Sequence, residues 1–271
     1  MRARAKKEER NMKILLTNDD GFDAPGIIAM ARAAKAIGDI YVAAPAEHHS
    51  GASHSVTITG ALKVQKKHFD GDIEGWKIWG TPYDCCALAI EALMDEKPDL
   101  VISGINGGSN VGRDILHSGT IGAGSAAFWS GVPAIAVSLN HRPGVKTFKY
   151  DAAAEFAVRA AKWLLAQPDP KAYMLSINVP NVPKEEIAGC VAASMSDRHN
   201  YHCDFKKSSD GWFDYYNATM VPHHAECNYS LHEDDYAVNH DYIVLTPLGM
   251  NATATNHMDD LSGAANSLWP A

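Results

Sequence analysis

Short apolar runs alternate with helix-like segments along much of this 271-residue chain. The pattern starts with an apolar run at 13–17, continues with an apolar helical face at 27–34 behind Pro25, and reaches a second run at 39–45. Runs of this length between turn residues are typical of buried parallel strands. A helix between two such strands makes a βαβ unit. The sequence therefore predicts an α/β fold with a doubly wound, mainly parallel sheet.

The same alternation of strand-like and helix-like segments continues through most of the chain. We expect further strands at 56–59, 62–64, 76–79, 99–103, 134–138, 173–179 and 242–245, and further helices at 82–94, 121–129 and 152–166. The strands between 56 and 79 lie close enough in sequence to form an antiparallel excursion, a β-hairpin. Beyond about residue 190 the periodicity weakens, which predicts a less regular C-terminal region.

Composition indicates a globular protein, because 46% of residues are apolar and 21% are charged. Residues 1–11 are charged and lack an apolar face, so we expect them to form a disordered tail. Residues 12–271 then make a single α/β domain of ordinary size. Within it, the elements at about 190–271 are expected to serve oligomerisation.

Charge and cysteine usage narrow the class of partner and the compartment. A net charge of −8 disfavours binding to a nucleic acid polymer or an anionic membrane. No apolar run approaches the ~20 residues of a membrane span, and no secretion signal is recognisable at the N-terminus. The five cysteines are odd in number and include no C-x-x-C. We therefore expect a cytoplasmic protein with reduced thiols and no membrane contact.

Three polar segments follow predicted strands, at 18–21, 47–55 and 103–110. In open parallel α/β sheets, ligands bind at the carboxyl ends of the strands. We therefore expect these segments to meet at one edge of the sheet and to form the functional site there.

Two adjacent aspartates, Asp19 and Asp20, stand where the first strand ends. Both can face one ligand only if the strand breaks, and Gly21 permits such a break. Neighbouring carboxylates raise each other's pKa unless a cation neutralises them, and their oxygens suit Mg²⁺, Mn²⁺ or Ca²⁺ better than zinc. The alternative is a turn with an N-cap. Position at a strand end favours a metal site.

The downstream polar segments carry weaker signals. The stretch SGINGGSN at 103–110 lets backbone N–H groups approach an anion, but it matches neither the P-loop nor the G-x-G-x-x-G spacing. The Ser118-Gly119-Thr120 turn suits either a phosphate at a helix N-terminus or a plain helix cap. The later histidines match no zinc spacing, and we interpret them as ordinary polar residues.

Several segments of the chain together resemble a known family. The segments KILLTNDDGFDAPGI, APAEHHSGASHSVT, GTPYDC, PDLVISGINGGSNVGRDILHSGT and GVPAIAVSL occur in the order typical of the SurE (survival protein E) nucleotidases, across about residues 12–140. The resemblance implies a Rossmann-like fold, a cytoplasmic homodimer or homotetramer, and one divalent cation. That cation would be Mg²⁺ or Mn²⁺, with Ca²⁺ as a substitute in crystals. It also implies hydrolysis of nucleoside 5′- and, less firmly, 3′-monophosphates by metal-assisted attack of water.

Carried over by motif, the resemblance implies a specific set of site residues. The metal ligands would be Asp19, Asp20, Ser50 and Asn106, with the two aspartates also catalytic, as general base or as nucleophile. The residues implied for substrate and phosphate binding are Asn18, Asn106, Gly107, Asn110, Ser118, Gly119 and Thr120.

Departures from the family pattern keep alternatives open. His48 and His49 stand where the family often has an Asn-Arg pair, so mostly neutral imidazoles replace a cationic phosphate contact. Residues 190–240 do not clearly match. The chain is therefore either an active nucleotidase, a catalytically weak metal- or nucleotide-binding relative, or a phosphatase for another phosphomonoester or short polyphosphate. A haloacid-dehalogenase-type enzyme is disfavoured because the Asp-x-Asp motif is missing.

Overall fold

The structure, a computed structural model, describes residues 11–140, 147–197, 201–220 and 230–253, with the backbone alone at 201–204 and 213–220. The strands are β1 Lys13–Thr17, β2 Asp39–Pro45, β3 Lys63–Phe69, β4 Ile73–Trp79, β5 Leu100–Asn106, β6 Ala134–Asn140, β7 Met174–Pro180, β8 Gly189–Ala192, β9 Tyr201–Ser209, β10 Trp212–Met220 and β11 Tyr242–Leu248. The helices are α1 Pro25–Ala34, α2 Pro82–Leu88, α3 Gly119–Trp129, α4 Tyr150–Leu165 and α5 Asp234–Asn239.

The main sheet has the order β3-β4-β2-β1-β5-β6-β7-β11-β8. Its central strands are parallel: β1 pairs with β2 and β5, and β6 pairs with β5 and β7. The exceptions are β3, antiparallel to β4, and β11, antiparallel to β7. The prediction of a Rossmann-like, mainly parallel α/β sheet with a β-hairpin excursion is confirmed.

Apolar cores lie on both faces of the sheet, as the doubly wound prediction requires. Ile14 and Leu16 belong to the core that also contains side chains of α1 and α4, whereas Leu15 belongs to the core under α2 and α3. Successive strand residues point to opposite faces, so a strand buried on both sides reads as a continuous apolar run. This explains why the first strand could be recognised from its sequence.

One predicted strand is wrong. Residues 56–59 form no strand, and Ile58 is 88% exposed. The backbone N–H of Thr57 instead donates to the carboxylate of Asp84 at 2.9 Å, and the Thr57 hydroxyl donates to the same group at 2.6 Å. The predicted strand at 62–64 is longer than expected, because β3 continues through a lysine-rich edge to Phe69.

The C-terminal part contains more regular structure than the sequence predicted. Strands β8 and β11 extend the main sheet, and β9 and β10 form a separate two-stranded antiparallel ribbon. Of the expected tail at 1–11, only Asn11 lies among the described residues, and its amide donates to Asp39 at 3.2 Å. No helix in the described part of the chain has the length and apolar character needed to cross a membrane.

Candidate active site at the carboxyl edge of the sheet

The chain turns sharply after β1, at the loop that carries the paired aspartates. The amide of Asn18 is wholly buried and closes this loop on itself: its Nδ2 donates to the Gly21 carbonyl at 2.9 Å, and its Oδ1 accepts from the Gly21 N–H at 3.2 Å. Gly21 has φ +111°, a conformation that side chains rarely adopt. The strand therefore breaks at the predicted place, and the contacts of Asn18 shape the loop.

Asp19 is buried, with 3% of its surface exposed. The Thr120 hydroxyl donates to its Oδ1 at 2.5 Å. A Cβ on Gly119 would lie 2.7 Å from the Asp19 Cβ and 2.9 Å from its Oδ2, so only glycine allows this approach. Burial raises the pKa of Asp19 to about 6, and the neighbouring charge of Asp20 adds to the effect while the Thr120 hydrogen bond opposes it.

Asp20 is half-buried and faces a different loop. Its Oδ2 accepts a hydrogen bond from the Gly107 N–H at 3.2 Å, and its Oδ1 lies 3.5 Å from Nδ1 of His48. Burial raises the pKa of Asp20, while the hydrogen bond from Gly107 and the proximity of His48 lower it. The two carboxylates thus contact the two other polar segments that the sequence singled out, and also the start of α3.

The loop at 47–55 reaches the same edge. The His49 N–H donates to the Asp19 carbonyl at 2.8 Å, and Ser50 follows in an exposed turn. Further along, Ser53 donates through its N–H to the His117 carbonyl at 3.0 Å and through its hydroxyl to the Leu116 carbonyl at 2.6 Å. The predicted meeting of the three polar segments at one edge is therefore present in the structure.

Asn106 ends β5 beside this cluster and is half-buried. Its Nδ2 donates to the Gly108 carbonyl at 2.8 Å, within its own loop. An asparagine binds a cation through its side-chain oxygen, Oδ1. Gly107, next in the chain, contacts Asp20 directly, as described above. The loop after β5 thus supplies a fixed backbone N–H and one amide side chain to this edge.

Asn110 and Ser118 have other partners. The Asn110 N–H donates to Oδ1 of Asn178 at 2.8 Å, its carbonyl accepts from Nδ2 of Asn178 at 3.0 Å, and its own Nδ2 donates to the Ser138 hydroxyl at 2.8 Å. The Ser118 hydroxyl caps α3 by accepting from the Ile121 N–H at 3.2 Å. These contacts hold the backbone of the loop after β5 and of the start of α3. Direct phosphate contact by either residue stays a prediction.

A cavity of about 470 Å³ opens in front of Asp20. His48, Gly107, Phe148 and Tyr150 are among its lining residues. The sequence interpretation did not include Phe148, Tyr150 or the Asn178 side chain. The aromatic pair lies where the loop after β6 enters α4, with Phe148 in the loop and Tyr150 as the first residue of the helix. A parallel sheet places ligand-binding loops at such positions, and this signal was available in the sequence.

The donor set fits a hard divalent cation. Among the described residues, no three His, Cys, Asp or Glu side chains cluster to hold a metal ion, but the expected set contains two carboxylates, a hydroxyl and an amide. Carboxylate and amide oxygens are the ligands that Mg²⁺ and Mn²⁺ accept. Asp19 is buried directly beside Asp20, and burial first, with the charge of Asp20 adding to it, raises the pKa of Asp19. A nearby cation stabilises the ionised form of such a carboxylate.

The fold and the site together define a Rossmann-like α/β protein with a pair of acidic residues at the carboxyl ends of its parallel strands. The chain belongs to the SurE family, since the family model described as survival protein SurE matches residues 14–202. This agrees with the resemblance seen in the sequence motifs.

Relatives and a solved structure support the assignment across most of the chain. A protein named 5′-nucleotidase SurE from Chlorobium limicola is 36% identical over 258 residues, covering 94% of this chain and 97% of that protein. One of the same name from Chlorobium phaeobacteroides is 36% identical over 251 residues, covering 92% and 94%. The crystal structure of the SurE protein from Aquifex aeolicus matches with a TM-score of 0.78 and 34% identity, covering 93% of this chain and 99% of that one.

Proposed function

We propose that this chain is a divalent-metal-dependent 5′-nucleotidase. It hydrolyses nucleoside 5′-monophosphates, and 3′-monophosphates as secondary substrates, to nucleoside and phosphate. The observation that carries the proposal is the aspartate pair: Asp19 is buried and held by Thr120, and Asp20 is held by Gly107 at the wall of an open cavity. The naming of full-length relatives as 5′-nucleotidases supports the substrate class.

One Mg²⁺ or Mn²⁺ ion would be held by Asp19, Asp20, Ser50 and Asn106. When bound, such an ion supplies Lewis-acid polarisation of the phosphoryl group and activation of water. The supporting observation is the donor chemistry: the carboxylates come from the end of β1, and Asn106 comes from the end of β5, the strand that pairs with β1.

The chain's own residues then bind and orient the phosphate. Helix α3 begins at Gly119, directly against Asp19, so the N–H groups of Gly119 and Thr120 lie at a helix N-terminus, where phosphate oxygens are stabilised. Gly107 lines the cavity, and Asn106 precedes it at the end of β5, so both are assigned to phosphate binding as well. Asn18, Asn110 and Ser118 are also assigned to this phosphate subsite. Their hydrogen bonds hold the backbone of the loops that form it.

Proton transfer is assigned to the aspartate pair. Asp19 is the better candidate for a general base, because it is held by Thr120 beside the first turn of α3, where the phosphate is proposed to bind. The Thr120 hydroxyl orients the Asp19 carboxylate by donating to Oδ1. Attack of water, with Asp19 accepting the proton, is the mechanism that this arrangement favours over a covalent aspartyl intermediate.

The test is phosphate release from nucleoside 5′- and 3′-monophosphates, with ribose 5-phosphate and tripolyphosphate as comparison substrates. We expect turnover with Mn²⁺ or Mg²⁺, its loss in EDTA, and a loss of at least about a hundredfold in Asp19→Asn. Asp72→Asn, an exposed aspartate in the β3–β4 turn, is the matched control. Metal binding without turnover of any substrate would instead favour the binding-module alternative, and preferential tripolyphosphate hydrolysis would favour the polyphosphatase alternative.

We also propose that the C-terminal elements assemble the protein into a homodimer or homotetramer. The ribbon of β9 and β10 supports this, because Phe205 is 67% exposed and Trp212 is 72% exposed on it. Exposed large aromatic residues are typical of interaction surfaces. Light scattering after size-exclusion chromatography should give a mass of two or four chains, and Phe205→Ser with Trp212→Ser should lower it. A monomeric parent protein would overturn this proposal.

We place the protein in the cytoplasm on the basis of its thiols. Cys85 and Cys86 are buried free cysteines on α2, and burial raises the pKa of Cys86 to about 12. Thiols with such a pKa are unreactive structural groups. Fractionation of the native host should place the protein with cytoplasmic markers, and recovery outside that fraction would contradict the assignment.

A further inference from the structure

We propose that Phe148 and Tyr150 form a stacking platform for the nucleobase of the substrate. The proposal rests on the function proposed above and adds to it a specificity site distinct from the carboxylates. Four observations carry it, namely the geometry of the ring pair, its closeness to Gly107, the way its backbone is held, and the cavity in front of it.

The two aromatic rings are stacked on each other. Their centroids are 5.8 Å apart and their planes differ by 11°. Tyr150 is half-buried and packs against the main core, whereas Phe148 is 37% exposed. The inner ring is therefore anchored in the protein while the outer ring keeps accessible apolar surface.

The platform lies next to the catalytic edge. A Cβ built on Gly107 would lie 3.5 Å from the Tyr150 hydroxyl and 3.7 Å from the Phe148 ring. The N–H of the same Gly107 donates to Asp20 at 3.2 Å. One glycine thus separates the aromatic pair from the carboxylate pair, which matches a ligand with a phosphate at one end and a flat ring at the other.

The backbone around Phe148 is held on both sides. Nδ2 of Asn181 donates to the Thr147 carbonyl at 2.8 Å, and Oδ1 of Asn181 accepts from the Lys149 N–H at 2.9 Å. Asn181 is itself fixed by donating its N–H to the Asn140 carbonyl at 2.8 Å, at the end of β6. A ring positioned before the ligand arrives binds with a smaller loss of conformational entropy than a mobile one.

The cavity has the size and polarity that a nucleoside needs. Its volume of about 470 Å³ lies within the ordinary range for small-molecule sites. Phe148 and Tyr150 line it together with the polar groups of Asp20 and His48. Because every base has a π-face, stacking tolerates purines and pyrimidines alike. The platform therefore predicts a preference for nucleotides over other phosphomonoesters without strong selection among bases.

The test compares substrates with and without a base. The ratio of kcat/KM for adenosine 5′-monophosphate to kcat/KM for ribose 5-phosphate, which keeps the sugar and phosphate, should fall about tenfold in Phe148→Ala. Phe148→Trp keeps a stacking ring and should keep the ratio of the unmodified protein. Trp163→Ala is the control, since Trp163 is an exposed aromatic near the other end of α4. An unchanged ratio in Phe148→Ala would overturn the proposal.

A binding measurement separates this proposal from the function on which it rests. Adenosine carries the base and lacks the phosphate, so its calorimetric titration into the protein reports the platform even if no phosphomonoester is hydrolysed. We expect adenosine to bind the unmodified protein and to bind Phe148→Ala about tenfold more weakly, with no heat from ribose. Equal adenosine affinity in the two proteins, or no adenosine binding at all, contradicts the platform whatever the hydrolysis assay gives.

Discussion

The Thr120 hydroxyl donates a 2.5 Å hydrogen bond to Oδ1 of Asp19, across 101 residues of sequence. The bond joins the end of β1 to the first turn of α3, and both side chains are buried. It directs Oδ1 of Asp19 toward the first turn of the helix whose N-terminus is proposed to hold phosphate. The position of the Asp19 carboxylate therefore depends on this buried contact.

Replacing Thr120 by valine should lower kcat by about a hundredfold, because the Asp19 carboxylate is no longer held in place. Thr120→Ser keeps the donor and should retain most of the activity. Steady-state kinetics on adenosine 5′-monophosphate, with circular dichroism to confirm folding, measures the effect. If the valine variant were as active as the serine variant, the hydrogen bond would have no catalytic role.

Gly119→Ala should disturb the same carboxylate by steric contact. The new Cβ would lie 2.7 Å from the Asp19 Cβ, so the loop must shift, at a cost of about 1–3 kcal/mol in the free energy of unfolding. Urea denaturation and the turnover rate should both fall. Gly249→Ala, where no heavy atom lies within 4 Å of the new Cβ, should change neither, and equal behaviour of the two variants would argue against the close approach.

Asn178→Ala should destabilise the loop after β5. The side chain makes two reciprocal hydrogen bonds with the backbone of Asn110, at 2.8 and 3.0 Å, in a buried position. Leaving that N–H and carbonyl without partners costs about 2–4 kcal/mol. Urea denaturation measures the loss, with the exposed Asn251→Ala as control. A change below about 0.5 kcal/mol, typical of surface substitutions, would contradict this role.

The stability that Asp84 contributes should depend on pH. Burial favours the neutral acid, but hydrogen bonds from Thr57 and Thr81 outweigh it and lower the pKa of Asp84. A lowered pKa in the folded state stabilises the protein above the unfolded value of about 3.9, and this contribution is lost as the pH falls through the folded pKa. Asp84→Asn should therefore cost about 1–3 kcal/mol at pH 7 and progressively less below about pH 4.

Urea denaturation of Asp84→Asn and the parent protein between pH 7 and about pH 2.5 tests this dependence, because the contribution disappears only as the pH falls through the lowered folded pKa. The exposed Asp72→Asn is the control and should show no comparable difference. A gap between Asp84→Asn and the parent that stays constant over this range would show that the carboxylate's ionisation contributes nothing to it.

The sequence was sufficient for the parts of the fold that depend on local pattern. Strands such as β1 are apolar on both faces, and the polar residues that follow them must lie at one edge once the strands are parallel. Residues 56–59 have β-branched side chains and resembled a strand, yet Asp84, 27 residues away from Thr57, takes the backbone N–H that a neighbouring strand would need. Local β-propensity could not predict this hydrogen bond, because Asp84 lies outside the segment.

The same limit applies to the site. The placement of Asp19 and Asp20 at this edge was predictable because they follow a strand, and that of Gly119 because the motif resembles a known family. The contribution of Asn178 was not, since it contacts Asn110 across 68 residues through two buried bonds. The Phe148–Tyr150 pair was missed because stacking of two rings beside Gly107 arises only when β5 and the start of α4 are brought together.

Calorimetric titration of Mn²⁺ into the metal-free protein tests the central claim most directly. We predict one site per chain, with affinity reduced at least about tenfold in Asp20→Asn and in Asn106→Ala, and unchanged in Asp72→Asn. The Asp20 and Asn106 variants should lose hydrolysis of adenosine 5′-monophosphate in parallel. Mn²⁺ affinity and hydrolysis that both survive these two substitutions would contradict the account, and the paired aspartates would then be a capped turn rather than half of a metal site.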